Sequence, residues 1–209
     1  MRFYDQFAEF QFDVLQEVGN IGSGHAATAL SILLNQPVDM KVPRVRLLPF
    51  EEISELFGGS EEVVAAIFLR VEGDAPGNLF FIISLESARH LLEILFGSNS
   101  GEIGRDGIYT ELEISALCEI GNILSGSYLS SLGDFTGLQF YPSVPAIALD
   151  MIGAVLSHGV MMYGAMGEQA LFIETSFSQG QHAVEGHFFF IPDPDSYARL
   201  FAALGVPLT

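Results

Sequence analysis

The chain of 209 residues has one cysteine, no tryptophan, and eight basic residues against 26 acidic ones. A lone Cys118 has no partner for an intramolecular disulfide and cannot build a thiolate metal cluster. Lys41 is the only lysine, and Arg2, Arg44, Arg46, Arg70, Arg89, Arg105 and Arg199 are scattered along the chain. With a formal net charge of -18, binding to the phosphate backbone of nucleic acid is disfavoured. The same charge repels anionic lipid. The longest apolar runs, such as Leu79 to Ile83 and Phe188 to Ile191, fall far short of the roughly 20 residues that span a bilayer. The amino terminus, Met1-Arg2-Phe3-Tyr4-Asp5, lacks the basic region, apolar core and small-residue cleavage site of a secretory signal. These absences predict a protein of the reducing cytoplasm that neither spans a membrane nor lies on one.

What is present is apolar material, 49% of the residues, enough for a well-packed core. Helical spacing of Phe7, Phe10, Val14, Val18 and Ile21, with no proline before Pro37, predicts a long helix from Phe3 to about Leu34, or two in line. Val38, Met40 and Val42 alternate as in a strand, and Pro49 can open a short helix through Phe57 that Gly58-Gly59-Ser60 breaks. Val63 to Val71 and Leu79 to Ser84 form a hairpin across the turn residues Glu72 to Gly77, followed by a helix from about Glu86 to Phe96 that Gly97 stops. Residues 98–107, rich in Gly and Ser, are expected to be a linker. Thr110 with Glu113 is a capping box that starts a second long helix. The plan then repeats: an apolar stretch near Met151 to Met162, strands near Ala170 to Phe177 and His187 to Ile191, and a helix near Asp195 to Leu204.

The repetition is literal in places. Asp13, Glu17, Asn20 and Pro43 recur 102 positions later as Ser115, Glu119, Asn122 and Pro145, with no gap across the span. Leu15, Gly19, Ile21, Ser23, Gly24, Leu30 and Val42 recur in the same register. Further on, Gly77-Asn78-Leu79-Phe80-Phe81-Ile82 matches Gly186-His187-Phe188-Phe189-Phe190-Ile191 at an offset of 109, so about seven extra residues sit in the middle of the second half. The chain is an internal duplication. Three strands per half make a marginal core, whereas two halves can share one sheet. The expected fold is α+β: a single domain, 1–209, of two repeats (about 1–97 and 108–209) related by a pseudo-two-fold, with a largely antiparallel central sheet flanked by helices. The two long helices carry the repeated motif.

At about 100° per residue, Asp13, Glu17, Asn20 and Gly24 fall on one stripe of a helix, within roughly 60° of each other. Val14, Leu15, Val18, Ile21 and Ala29 are assigned to the opposite, inward side, as are Ala116, Leu117, Ile120, Ile123, Leu124 and Leu129 in the second copy. An acidic and an amide residue on one exposed stripe need do no more than solvate a helix. Here positions such as Gln16/Cys118 and His25/Ser127 differ between the copies while Glu, Asn and Gly on the stripe are identical, which points to a functional face. Glycine inside a helix costs roughly 0.5–1 kcal/mol relative to alanine. At Gly24 and Gly126 either another element of the protein packs closely, or a partner's backbone approaches; Gly19 and Gly121 are assigned to internal packing.

A carboxylate and a carboxamide about one turn apart include no nucleophile, and no Ser-His or Cys-His arrangement accompanies them. They can position: an amide can hold a water in line for attack, and a carboxylate can pair with a lysine on a docked partner. That chemistry suits hydrolysis of a phosphoryl group carried by the partner. Gly22-Ser-Gly24-His-Ala-Ala27 formally fits a dinucleotide fingerprint, but it lacks a preceding strand and the second copy has Leu124 in place of Gly22, so nucleotide binding is not expected. His25, His90, His158, His182 and His187 have no metal-ligand spacing, and the apolar Phe188 to Phe190 and Met161-Met162 are assigned to packing.

The pattern Asp/Ser-x3-Glu-x2-Asn-x22-Pro, present twice and flanked by words such as Glu17-Val-Gly-Asn-Ile-Gly-Ser-Gly-His25, resembles the signature of the CheC, CheX and FliY family of chemotaxis phosphatases. The resemblance covers nearly the whole chain. It implies dephosphorylation of the aspartyl phosphate of the response regulator CheY-P, and binding of the receptor deamidase CheD. It further implies that Asn20 and Asn122 orient the attacking water, that Glu17 and Glu119 contact the regulator's lysine, and that Asp13 and Ser115 are supporting contacts. The Mg²⁺ would belong to the bound CheY, leaving no metal or cofactor of the chain's own. A rival from another class is a non-catalytic adaptor or phospho-CheY sink that binds CheY-P and CheD without turnover.

Overall fold

Two helices of equal length carry the repeat: α1 spans Glu9–Leu34 and α4 spans Glu111–Thr136, each 26 residues and in the same register 102 positions apart. The computed structural model describes residues 9–97, 104, 108–163, 169–179 and 182–205. Nearly all of the segment expected to link the halves, 98–107, lies outside them. Each long helix ends at a residue in the left-handed region, Asn35 (φ 51) after α1 and Gly137 (φ 73) after α4. Asn and Gly are the residues that tolerate that conformation, so equivalent chemistry stops both helices at one place.

After α1 the first half runs β1 (Asp39–Pro49), α2 (Phe50–Leu56), β2 (Val63–Gly73), β3 (Gly77–Ser84) and α3 (Leu85–Phe96). After α4 the second runs β4 (Phe140–Pro142), β5 (Ala146–Met151), α5 (Ile152–Tyr163), β6 (Gln169–Gln179), β7 (His182–Pro192) and α6 (Pro194–Ala203). The counterpart of β1 is thus the pair β4 and β5. β1 shifts register between Lys41 and Arg44, around Pro43, and the second copy breaks between Pro142 and Ala146, at Pro145. A proline has no N–H for the ladder, so the motif prolines interrupt equivalent strands. Part of the extra length in the second half is α5, with 12 residues against 7 in α2.

All strands join one antiparallel sheet in the order β1-β6-β7-β3-β2-β4, with β5 also on β2. The first strand of each half pairs with the hairpin of the other, so neither half completes its own sheet. At the centre β3 lies beside β7 with Phe80 opposite Phe189, and these are counterparts in the 109-residue offset. The pseudo-two-fold therefore passes through that pair.

The sheet is covered on both faces, which is why β3 is buried along almost its whole length instead of alternating. On one face Leu15, Ala26, Leu30, Leu117, Ile120, Leu124 and Tyr128 of the motif helices meet Phe81, Ile83, Phe188 and Phe190. Phe81 and Phe188 stack at 4.8 Å, and Tyr128 lies 4.7 Å from Phe188. On the other, Ile53 of α2 and Ile152 and Val155 of α5 cover Val64, Ala66, Phe80, Ile82, Phe172 and Phe189. Each buried Leu, Ile, Val or Phe side chain contributes about 1.5–3 kcal/mol, so the first of these layers fixes how the long helices are rolled.

Candidate functional site

The roll of α4 is set by three contacts. At its start the Thr110 side chain accepts from the Glu113 N–H at 3.3 Å, while the Glu113 carboxylate accepts from the Thr110 N–H at 2.6 Å. This is the reciprocal capping box expected from the sequence. Nearer its middle, Gly121 lies so close to β2 that a Cβ there would sit 2.6 Å from Ile67 Cγ2. Further on, the Tyr128 hydroxyl meets Thr175 Oγ1 of β6 at 3.1 Å, and burial pushes the phenol up to about 12, so Tyr128 is a neutral anchor.

The roll of α1 follows from α4, against which it packs. A Cβ on Gly22 would lie 2.9 Å from the Tyr128 ring and 3.1 Å from its Cα, so glycine permits the close approach of the two helices. His25 Nδ1 lies 3.4 Å from Ser131 Oγ across the same seam.

With the helices held this way, the repeated polar residues face outward. Asp13, Glu17, Asn20 and Gly24 are exposed on α1, as are Ser115 and Glu119 on α4, while Asn122 and Gly126 are half-buried. Hydroxyls on the same helices bond back to the backbone: Ser23 Oγ donates to the Asn20 carbonyl at 2.8 Å, Thr28 Oγ1 to the Gly24 carbonyl at 3.0 Å, and Ser127 Oγ to the Ile123 carbonyl at 2.8 Å.

Three expectations are resolved by this geometry. Gly121 is held by internal packing, and Gly19 is buried. Gly24 and Gly126 have nothing within 4 Å of where a Cβ would stand, so close packing within the described chain does not account for them. Ile21 corrects the helical wheel: assigned to the inward face, it is 45% exposed. It stands one turn after Glu17, about 40° round the helix, nearer the polar stripe than the core. Counting angles from Glu17 instead of dividing the helix into two halves would have placed it outward. The same count places Leu112, 67% exposed, beside Ser115 and Glu119.

As chemistry, the face offers paired carboxylates and carboxamides without a covalent nucleophile. Cys118 adjoins Glu119 in sequence, but burial raises its thiol above the ordinary value, which disfavours the thiolate. Among the described residues, no three His, Cys, Asp or Glu side chains are grouped so as to hold a metal ion, and no helix is long and apolar enough to cross a membrane.

With a repeated Glu–Asn stripe on paired helices over one antiparallel sheet, the chain belongs to the CheC-like family. The model of the CheC-like family matches residues 10–46 and 112–149, the two segments that hold the motif copies. Over all of both chains the sequence is 46% identical to the CheY-P phosphatase CheC of Bacillus subtilis (strain 168). It is 32% identical to the flagellar motor switch phosphatase FliY of the same organism, a match that covers 69% of this chain and 37% of that protein. Among solved structures, Thermotoga maritima FliY superposes with a TM-score of 0.76 at 19% identity, over 95% of this chain and 98% of that one. That likeness spans nearly the whole chain, well beyond the two segments that the family model matches.

Proposed function

We propose that the protein hydrolyses the aspartyl phosphate of phosphorylated CheY at two pseudo-symmetric sites, one on each long helix. The observation that carries this reading is the matched display of Glu17 with Asn20 and of Glu119 with Asn122 from equivalent faces of α1 and α4. The 46% identity to a protein named as a CheY-P phosphatase supports it.

In this mechanism CheY docks against a motif helix and supplies both the phosphoryl group and the Mg²⁺. The carboxylate of Glu17 or Glu119 pairs with the regulator's lysine and sets the register of docking. The carboxamide of Asn20 or Asn122 holds one water in line with the phosphorus, and the water oxygen forms the new P–O bond as the bond to the aspartyl oxygen breaks. The products are a free carboxylate on CheY and inorganic phosphate. Asp13 and Ser115, one turn before each Glu, are supporting contacts. The open space beside Gly24 and Gly126 leaves room for the regulator's backbone next to each Asn. The chain acts in the cytoplasm as one domain of two repeats with no cofactor of its own, and CheD is a second partner.

The test is phosphate release from an excess of phosphorylated CheY over this protein, with a regulator-only control for self-hydrolysis. Many turnovers above the control are expected. Stoichiometric binding without turnover, with and without CheD, would overturn the mechanism in favour of an adaptor.

A further inference from the structure

The proposed chemistry uses polar residues, yet two large apolar side chains stand in the same outward arc within two turns of a motif glutamate. Ile21, 45% exposed, is the next turn after Glu17, and Leu112, 67% exposed, is the turn before Ser115 and about 20° from the line of Glu119. Neither is needed to cover the sheet. Their counterparts in the repeat are also apolar: Ile123 for Ile21 and Phe10 for Leu112. Ile123 is half-buried and packs against the core that the motif helices cover, so the second copy leans its isoleucine inward where the first presents it.

We infer that Ile21 and Leu112 are docking residues for the phosphorylated receiver domain, forming the apolar border of each Glu–Asn stripe and determining how tightly the regulator is held. The inference rests on the phosphatase reading for the identity of its occupant. The argument is continuity: each side chain lies within one or two turns of a proposed catalytic residue on the same rigid helix. A domain that brings a phosphoryl group to Asn20 or Asn122 therefore meets them. The chemistry of recognition also requires something of this kind. The protein has a net charge of -18, and the Mg²⁺ that accompanies the phosphoryl group offsets its charge, so general electrostatic attraction is a poor source of affinity for the phosphorylated form. Apolar burial is insensitive to that sign, and an exposed isoleucine or leucine beside the contact supplies it. In this division of labour Glu and Asn set register and chemistry, whereas Ile21 and Leu112 set the lifetime of the complex.

The experiment isolates each copy. Ile21→Ser is made in an Asn122→Ala background and Leu112→Ser in an Asn20→Ala background, and steady-state phosphate release is measured against each parent. Both substituted positions are exposed, so melting temperatures should stay close to those of the parents. The expected result is a KM raised about tenfold with kcat within about twofold, a deficit that persists at high salt because it is not electrostatic. Val144→Ser, which removes an 89% exposed apolar side chain from the β4–β5 connection, leaves KM unchanged. In parallel, binding of CheY carrying beryllofluoride in place of the phosphoryl group is measured for every variant and should weaken by the same factor. Unchanged KM and unchanged binding in both variants would overturn the inference, as would a fall in kcat alone. If wild-type protein and both parents bind CheY but release no phosphate, the phosphatase reading fails, and the binding measurement still decides the role of Ile21 and Leu112.

Discussion

The two motif helices agree at three polar-stripe positions, Glu, Asn and Gly, and differ at two pairs of positions where they pack on each other. On the outward face Glu17, Asn20 and Gly24 have identical counterparts in Glu119, Asn122 and Gly126. On the inward face Gly22 of α1 corresponds to Leu124 of α4, and Tyr128 of α4 corresponds to Ala26 of α1; Ala26, Leu124 and Tyr128 are all buried in the core. Small and large have been exchanged together: the tyrosine packs over the glycine, and where the repeat has leucine it has alanine at the partner position. Packing requires only that the volumes add up across the seam, so it tolerates compensating change. No packing constraint of that kind acts on Gly24 and Gly126, which have open space beside them, and yet they match. Identity without a packing cause is the physical reason to look for function on the outward face.

The strongest way to break this comparison is to remove the amides. Asn20→Ala with Asn122→Ala should lower turnover of phosphorylated CheY by more than about a hundredfold, while binding of the regulator is largely kept. Each single variant should leave the other site working. A pre-steady-state and steady-state comparison of the three variants reads this directly. If one single substitution removes nearly all activity, the outward faces are alike in composition and unequal in use, in keeping with Asn20 being exposed and Asn122 half-buried.

A second pair of counterparts sharpens the comparison at the centre of the sheet, where Asn78 of β3 corresponds to His187 of β7. Both carry buried polar atoms, Oδ1 and Nδ2 of Asn78 and Nδ1 of His187, that lack a protein partner among the described residues. Only the histidine titrates in an accessible range. Packed against Phe172 and Phe57, it is lowered to about 4, first by burial and then by the nearby Arg46. The unfolded chain binds that proton near pH 6.5 and the folded chain does not, so the stability contributed by neutral His187 is present above pH 6.5. It is lost as pH falls toward 4, by up to about 3 kcal/mol. Urea midpoints measured across that window should fall for the wild type and flatten for His187→Leu. The same change at Asn78 should leave the pH slope as it is.

Much of this was legible in the sequence because the repeat supplies an internal control. Element order, the capping box at Thr110 and Glu113, and the positions of the two stripes follow from periodicity and an exact register. The exchange of first strands between the halves was not legible, since Val38 to Val42 carries no mark of which hairpin it will join. That choice is a long-range one, made when β1 pairs with β6 and β5 with β2. β1 also runs further than the alternation of Val38, Met40 and Val42 marks: the strand bends around Pro43 and continues to Pro49. The outward position of Ile21 is not legible from its hydrophobicity. An apolar side chain is inward only on average, and at a docking surface the average fails.

The smallest expected effects test the glycines themselves. Alanine improves the helix by about 0.5–1 kcal/mol wherever it fits, because glycine has more backbone freedom to lose on folding. At Gly22 it does not fit: the new methyl would stand 3.1 Å from the Tyr128 Cα, a backbone atom that cannot swing away, so Gly22→Ala should cost about 1 kcal/mol net in spite of the better propensity. At Gly24 and Gly126 nothing opposes the methyl, and each alanine variant should be more stable than the wild type by about 0.5–1 kcal/mol in chemical denaturation. Against that gain, kcat/KM toward phosphorylated CheY should fall several-fold, because the space the methyl takes is the space a docked regulator would use. A stabilised variant with full activity would mean that the regulator's backbone never comes close to these positions. It would also leave the match between Gly24 and Gly126 without a physical cause in either packing or docking.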